Sequence, residues 1–538
     1  MESSFVAELT RRLQGQGSSL ALPLSWIEQR LSENGLTSIE LVYLENQKQA
    51  ADQLSVSNSI HGLRFLNTTD WRDFVEGLSI VEKTLREDIN GLYQKMDFYT
   101  RDNYRHVIER IAKNSEYEEE MIAGMAISFA KENTGNQNLR TSHVGYYLIG
   151  KGLSRLEKAT KTRLTTWKIW KNSLNKISLL LYTTAIALIT SFLTWGLISK
   201  AYYDGLFGWK IIVLAVLCVI STSQLSLTLI NWLVTLLASP HILPRMDFSK
   251  GIPRQYRTLV AVPTMLTDTK ETDDLLEALE VRFLANRDVS LHYALVTDFK
   301  DAVKEMLPED EHLLQSAKNK IIELNKKYNR ITNDTFFLFH RPRKWNAKEK
   351  KWMGYERKRG KLGALNALLR GKDNKSFSLI VADESLFPEV KYIITLDTDT
   401  ELPREAAYKM IGTLAHPLNQ AYYNEQKQRV TDGYTILQPR ISNSLPGANS
   451  SIYKKIHGNE AGIDPYTNAV SDVYHDLFQN ASFIGKGIYD IDAFEQTLHN
   501  RFPDNRILSH DLLEGNFARC GLISDVQLYE RIPFRLHR

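Results

Sequence analysis

Two stretches of this chain carry no charged side chain. Residues 177–199, "ISLLLYTTAIALITSFLTWGLIS", are uncharged over 23 positions, and residues 211–238, "IIVLAVLCVISTSQLSLTLINWLVTLLA", over 28. Both exceed the roughly 20 residues that span a bilayer core, so both are predicted to be transmembrane helices rather than buried helices of a large soluble core. Only "KAYYDGLFGWK" lies between them, with Tyr and Trp where a membrane interface would fall, which makes a hairpin. Lys158, Lys161, Arg163, Lys168, Lys171 and Lys176 precede it, and Arg245, Lys250, Arg254 and Arg257 follow. The positive-inside rule then places both flanks in the cytoplasm.

Before the hairpin, "WRDFVEGLSIVEKTLREDINGLYQKM" and "NYRHVIERIAKNSEYEEEMIAGMAISFAKE" repeat apolar residues at helical spacing, predicting an α-helical cytoplasmic region over 1–170. It holds no catalytic cluster. After the hairpin (177–238) the pattern changes near Pro253. "TLVAVPTML" (258–266), "LHYALVTDF" (291–299), "DTFFLFHRP" (334–342) and "KYIITLD" (391–397) read as strands. The stretches "TDDLLEALEVRFLAN" and "EDEHLLQSAKNKIIELNKKY" between them read as amphipathic helices. Such alternation predicts a mostly parallel α/β sheet in a domain over 250–538, with ligands bound beyond the carboxyl ends of its strands.

Composition adds limits. The chain has 538 residues with 67 Lys and Arg against 63 Asp and Glu, a net charge of +4 that is too balanced to argue for nucleic acid as partner. Its two cysteines, Cys218 and Cys520, make no disulfide framework and no zinc site by themselves, which fits a reducing compartment. "MESSFVAELTRRLQ" is mixed and helix-like, so no cleavable leader is expected.

Candidate chemistry centres on "KYIITLDTDTELPREAAYKM", where Asp397 and Asp399 follow an apolar strand. A calcium loop would need glycine at its sixth position, which is Leu402. A haloacid-dehalogenase-like phosphatase would need Thr or Val where Glu401 stands. Capping of a helix starting near Pro403 is a third reading. The fourth, which the surrounding motifs favour, is the Asp-x-Asp of a nucleotide-sugar glycosyltransferase, two hard oxygen ligands for Mg²⁺ or Mn²⁺ and a diphosphate. Asp298 ends "ALVTDF", placed to accept from a base such as uracil. "YERKRGKLGALNALLRG" brings Arg357, Lys358, Arg359 and Lys361 to a helix start, suited to phosphate. "NRILSHDLLEGNFAR" adds His510, Asp511 and Glu514. Asp511 is the candidate base for deprotonating an acceptor hydroxyl, Glu514 the second choice, and an N-cap the competing role for Asp511.

With these motifs in order, the chain resembles the processive inverting glycosyltransferases of the GT-A fold, and more closely the glycosyltransferase part of cyclic β-1,2-glucan synthases. The strings that carry the likeness include "MDFYTRDNYRHVIERIA", "HVGYYLIGKGLSRLEK", "KRGKLGALN", "TLDTDTELPREAA", "GIDPYTNAVSDVYHDLF", "SFIGKGIYDIDAFE" and "LSHDLLEGNFARCGLISDV". The resemblance implies UDP-glucose as donor, a divalent metal, and growth of a β-1,2-glucan at a bacterial inner membrane, with membrane lipid as surroundings. It implies Asp298 on the uridine, Lys358, Lys361 and Asp397 on the diphosphate, Asp397 and Asp399 on the metal, and Asp511 as base. It also implies a tyrosine that carries the glucan, for which Tyr466 and Tyr474 are candidates.

Enzymes of this kind are longer, with further membrane segments and cyclising domains. They continue past the equivalent of "IPFRLHR" into an Arg/Gln-x-x-Arg-Trp-type motif. The expectation is therefore a C-terminally truncated transferase that does not cyclise alone. A second reading is a catalytically incomplete subunit, a membrane scaffold or glucan-binding partner of separately encoded C-terminal synthase domains.

Overall fold

The computed structural model describes residues 3–15, 17, 20–133, 140–163, 178–237, 241–328, 334–372, 375–443, 473–507 and 509–530. The chain divides into two compact units, Met1–Glu82 and Lys83–Arg538. The first is built of helices Ser3–Leu13, Ala21–Ser32, Ser38–Thr68 and Trp71–Leu78. The longest opens on a capping box. Thr37 Oγ1 accepts from Glu40 N, and a Glu40 carboxylate oxygen accepts from Thr37 N at 3.0 Å, so two donors exposed at the helix start are satisfied reciprocally.

The second unit begins with further helices, among them Phe98–Ala112 and Glu119–Glu132. They pack on the segment that follows the apolar hairpin. Met96 forms an antiparallel bridge with Met246, and the Tyr104 hydroxyl lies 3.3 Å from His143 Nε2 and 3.4 Å from His416 Nε2. Burial pushes the His143 imidazole down to about 4 and His416 well below its ordinary value, which keeps this polar knot uncharged.

The hairpin consists of helices Ser178–Tyr203 and Trp209–Leu237, close to the uncharged runs that predicted them. Only 6% and 17% of their most apolar stretches are buried, so they are not core helices of a soluble domain. Their length and composition suit a bilayer, which supports membrane association. Polar contacts join them as hydroxyls and amides join membrane helices: Thr194 Oγ1 and Thr222 Oγ1 are 2.8 Å apart, and the Tyr182 hydroxyl donates to Asn231 Oδ1 at 2.6 Å.

The strands that follow are β1 (Thr258–Leu266), β2 (Leu291–Phe299), β3 (Phe336–Arg341), β4 (Lys344–Asn346), β5 (Lys351–Met353), β6 (Leu379–Val381) and β7 (Tyr392–Thr395). After them come β8 (Thr400–Glu401), β9 (Tyr422–Asn424), β10 (Arg429–Asp432), β11 (Ile436–Asn443), β12 (Gly487–Asp490) and β13 (Cys520–Glu530). Nine of them form one sheet in the order β6-β3-β2-β1-β7-β12-β11-β13-β8. β1 and β2 coincide with the apolar runs that announced them. Leu259, Ala261, Val296, Phe337, Phe339 and Ile393 are buried in the core, where a sheet covered on both faces selects nearly continuous apolar strands.

The sheet is mixed, which corrects the expectation of a mostly parallel one. β3, β2, β1 and β7 run parallel, as do β11 and β13, but β12 is antiparallel to both β7 and β11, and β6 and β8 are antiparallel at the edges. The crossovers that make β1, β2, β3 and β7 parallel do not extend to the short edge strand β6 or to the strands after β7, which pair both ways. The parallel half still delivers the ends of β1, β2 and β7 to one edge, and Thr264, Asp298 and Asp397 with them.

Candidate functional site

In-register pairing of β2 with β3 sets Asp298 opposite Arg341. Arg341 Nε and Nη2 each donate to one carboxylate oxygen at 2.9 Å, and Lys361 Nζ lies 3.3 Å from Oδ2. Asp298 is 1% exposed. A Cβ at Gly354 would stand 2.1 Å from its Oδ2, so the chain passes over this carboxylate only with glycine there. Lys361 also donates to Thr264 O at 2.5 Å, and burial holds its ammonium below the usual lysine range despite Asp298. Thr264, Asp298, Gly354 and Lys361, together with Met265, Asp301, Arg357 and Thr398, line a cleft of about 290 Å³. Arg357 is held over it by Asp301 at 2.9 Å.

Asp397 begins the turn after β7. Lys358 Nζ donates to its Oδ1 at 2.5 Å and Lys486 Nζ lies 3.2 Å from its Oδ2. Burial alone would raise this carboxyl, but Lys358 and then Lys486 outweigh it and hold it below the ordinary aspartate range. Lys486 is bridged onward to Glu530. Asp399 is exposed on the same turn. Neither carboxylate caps the next helix, Ala406–Ala415. Its N-cap is Glu405 at φ +63, and Thr400–Glu401 pair as β8 in between, which removes the capping reading.

The backbone of this turn is gripped from below. Arg282, 4% exposed on the helix Thr269–Ala285, donates from Nη2 to the carbonyls of Thr398 (2.8 Å), Thr400 (2.8 Å) and Asp397 (3.3 Å), and from Nε to Thr400 (3.0 Å). Asn286, one turn on, donates to the carbonyls of Leu402 at 3.2 Å and Pro403 at 2.9 Å.

Asp511 and Glu514 sit in the first turn of helix Asp511–Ala518, and His510 is its N-cap residue, so Asp511 does not hold the capping position. His510 Nε2 is 3.4 Å from Asp511 Oδ1 and 4.0 Å from Glu514 Oε2. One ligand atom from each of the three falls within 4.8 Å of the others, a second place of metal-binding composition. Burial and then Asp511 push Glu514 up to about 8, so it keeps its proton at neutral pH. Burial also lowers His510.

Gly485 joins the two groups. Its carbonyl accepts from Lys358 Nζ at 2.8 Å, the same ammonium that bonds Asp397, while a Cβ on Gly485 would lie 2.9 Å from both Asp511 oxygens. Its φ of +81 suits glycine as well. The structure therefore brings Lys358, Asp397 and Asp511 around one residue, and keeps Asp298 and Lys361 together at the cleft. Tyr474 lies elsewhere, half-buried on the short helix Val473–Phe478, which meets the membrane-type hairpin through Tyr182 and Phe478 rings 5.8 Å apart. Tyr466 falls outside the described residues.

Three residues of the site were not singled out by sequence reasoning. Arg341 was findable, because parallel, in-register β2 and β3 set it opposite Asp298. Lys486, between two glycines in "GKG", carried a faint signal. Arg282 carried none, since a charge near a helix end reads as solvated.

No family model matches the chain. It is 36% identical, over 548 aligned residues, to the cyclic β-(1,2)-glucan synthase NdvB of Rhizobium meliloti (strain 1021). The likeness is to a glucan synthase. It takes in 99% of this chain, as the motifs implied, and 19% of that protein, so the chain spans about a fifth of the length of the curated relative it matches.

Proposed function

We propose that this chain is a membrane-bound, inverting GT-A glucosyltransferase module that takes UDP-glucose and extends a β-1,2-linked glucan. The observation that carries the reading is Gly485, whose carbonyl accepts from Lys358, the ammonium that also bonds Asp397, and whose Cα lies against the Asp511 carboxylate. A diphosphate held at Lys358 and an acceptor hydroxyl at Asp511 would face each other across one glycine, the arrangement a single in-line displacement needs.

In this reading Asp298, Arg341 and Lys361 form the floor under the uridine and its phosphates, and Lys358 and Lys486 follow the diphosphate. Asp511 takes the acceptor proton. Glu514 already holds one at neutral pH, which favours Asp511 over it as base. A single displacement turns an α-linked donor into a β-linkage. The carboxylates of Asp397 and the exposed Asp399 fit Mg²⁺ or Mn²⁺ in type, and such an ion when bound would offset charge on the departing diphosphate. The donor and the β-1,2 linkage rest on the likeness to the longer synthase. So do the growing glucan as partner and a bacterial cytoplasmic membrane as the site of action, whereas two crossings with both flanks cytoplasmic rest on the two apolar helices and the basic residues around them.

The test is transfer of labelled glucose from UDP-glucose by purified protein with Mg²⁺ or Mn²⁺. Incorporation is expected, and Asp399→Asn is expected to weaken metal-dependent UDP binding by about tenfold or more, the loss of one charged contact. Folded protein that neither incorporates glucose nor binds UDP with either metal overturns the reading.

A further inference from the structure

We infer that Arg282 is the positioning residue of the Asp397–Asp399 turn. It lies over a hundred positions earlier in the chain and is not among the site residues that the sequence led one to expect. Yet its guanidinium donates to three backbone carbonyls of one four-residue turn, those of Asp397, Thr398 and Thr400, from beneath and with 4% exposure.

The geometry says what such a clamp does. A turn whose carbonyls converge on one point stacks the negative ends of its peptide dipoles together, an arrangement that repels itself unless a cation sits at the focus. With the carbonyls pinned inward, the Asp397 carboxylate is left to face Lys358 and Lys486, and the Asp399 side chain stays exposed. The turn is also closed internally, Thr400 N donating to Asp397 O at 3.2 Å, so rotation of one peptide would disturb both carboxylates. Lysine is a poor replacement, because a single ammonium lacks the planar fork that reaches neighbouring carbonyls at once. Asn286, the C-cap residue just past the end of the same helix, holds Leu402 and Pro403 in a similar way, so this helix end supports the connection from β7 to the next helix.

This inference rests on the proposed function for what the turn binds, and the experiment separates the two. Purified full-length protein in detergent or nanodiscs is titrated with UDP alone, with Mn²⁺ alone, and with UDP at fixed Mn²⁺, for the wild type and for Asp399→Asn, Arg282→Lys and Arg282→Gln. Thermal unfolding of each is followed alongside. The expected result is that both Arg282 variants unfold near the wild type and bind UDP alone as before. They lose roughly tenfold to a hundredfold in Mn²⁺ affinity and in the Mn²⁺-dependent part of UDP binding, the cost of one or two charge-assisted hydrogen bonds. The lysine variant falls between wild type and glutamine. A merely structural role would instead lower UDP binding with and without metal in proportion.

If the wild type shows no Mn²⁺-dependent binding, or Asp399→Asn does not change it, the reading of the turn as a metal and diphosphate site fails, and this inference with it. If Asp399→Asn has its effect while both Arg282 variants bind Mn²⁺ like the wild type, the positioning role alone is overturned. If neither Arg282 variant folds, the clamp belongs to the fold rather than to the site, and the inference is likewise overturned. Should only the glutamine variant misfold, the lysine variant decides.

Discussion

The two halves of the candidate site treat their carboxylates in opposite ways. On the cleft side both acids have cations against them: buried Asp298 has Arg341 and Lys361, and half-buried Asp397 has Lys358 and Lys486. On the other side Asp511 and Glu514 lie against the His510 imidazole, which burial keeps from charging easily; burial and Asp511 outweigh the cations Arg359 and Lys358, and Glu514 holds a proton. The difference is one of task. Fixed positive charge keeps a carboxylate ionised and leaves a surplus for phosphate, whereas burial and acid–acid repulsion make a proton easy to hold and to pass.

The comparison breaks most visibly at Asp511. Asp511→Asn keeps the shape beside Gly485 but removes the carboxylate proposed as base. Transfer from UDP-glucose is expected to fall roughly a hundred- to ten-thousand-fold, the range for a lost general base, while UDP binding stays near wild type. Equal loss of both would move Asp511 to the donor side and erase the distinction.

A second variant tests the proton itself. The unfolded chain releases the Glu514 proton near 4.5 and the folded chain near 8, so between these values the native state binds more protons than the unfolded one. Stability contributed by this group is therefore complete below about 4.5 and drains away as pH rises through about 8. Glu514→Gln abolishes that drain. Thermal unfolding from pH 5 to 8.5 is expected to fall less steeply with pH in the variant than in the wild type. Parallel curves would mean that Glu514 is not the proton holder.

The sequence made some of this legible and hid the rest for definable reasons. The membrane-type hairpin was plain because absence of charge is a local property. β1 and β2 were plain because strands covered on both faces admit little else but apolar residues. Asp397 and Asp511 were legible through the residues around them. What escaped depends on distant parts of the chain. β13 was unseen because "CGLISDVQLYE" carries Ser524, Asp525 and Gln527 in mid-strand, and its pairing with β11 is interrupted by a register shift between Pro439 and Arg440. Asp298 looked like an open strand-end acid, and its closed state appears only once β3 brings Arg341 alongside. Arg282 acts on carbonyls, which no side-chain pattern records.

The mildest change probes the cleft side. Lys486 is one of two cations on Asp397, and its removal in Lys486→Met leaves Lys358 in place. The pair is partly exposed, 13% and 37%, so screening limits its worth to about 1 kcal/mol or less. Loss of the ammonium nevertheless moves the Asp397 carboxyl toward its ordinary range. Because the folded group titrates below the unfolded one, its contribution is present at higher pH and is lost as pH falls through the folded value. The acid limb of metal-dependent UDP binding should therefore shift to higher pH in Lys486→Met, with little change near neutrality where Asp397 stays ionised in both proteins. Glu514→Gln should leave that limb where it is. If instead both variants moved the same limb, cation-held and proton-holding acids would form one titrating system, and the two halves of the site would not be chemically separate.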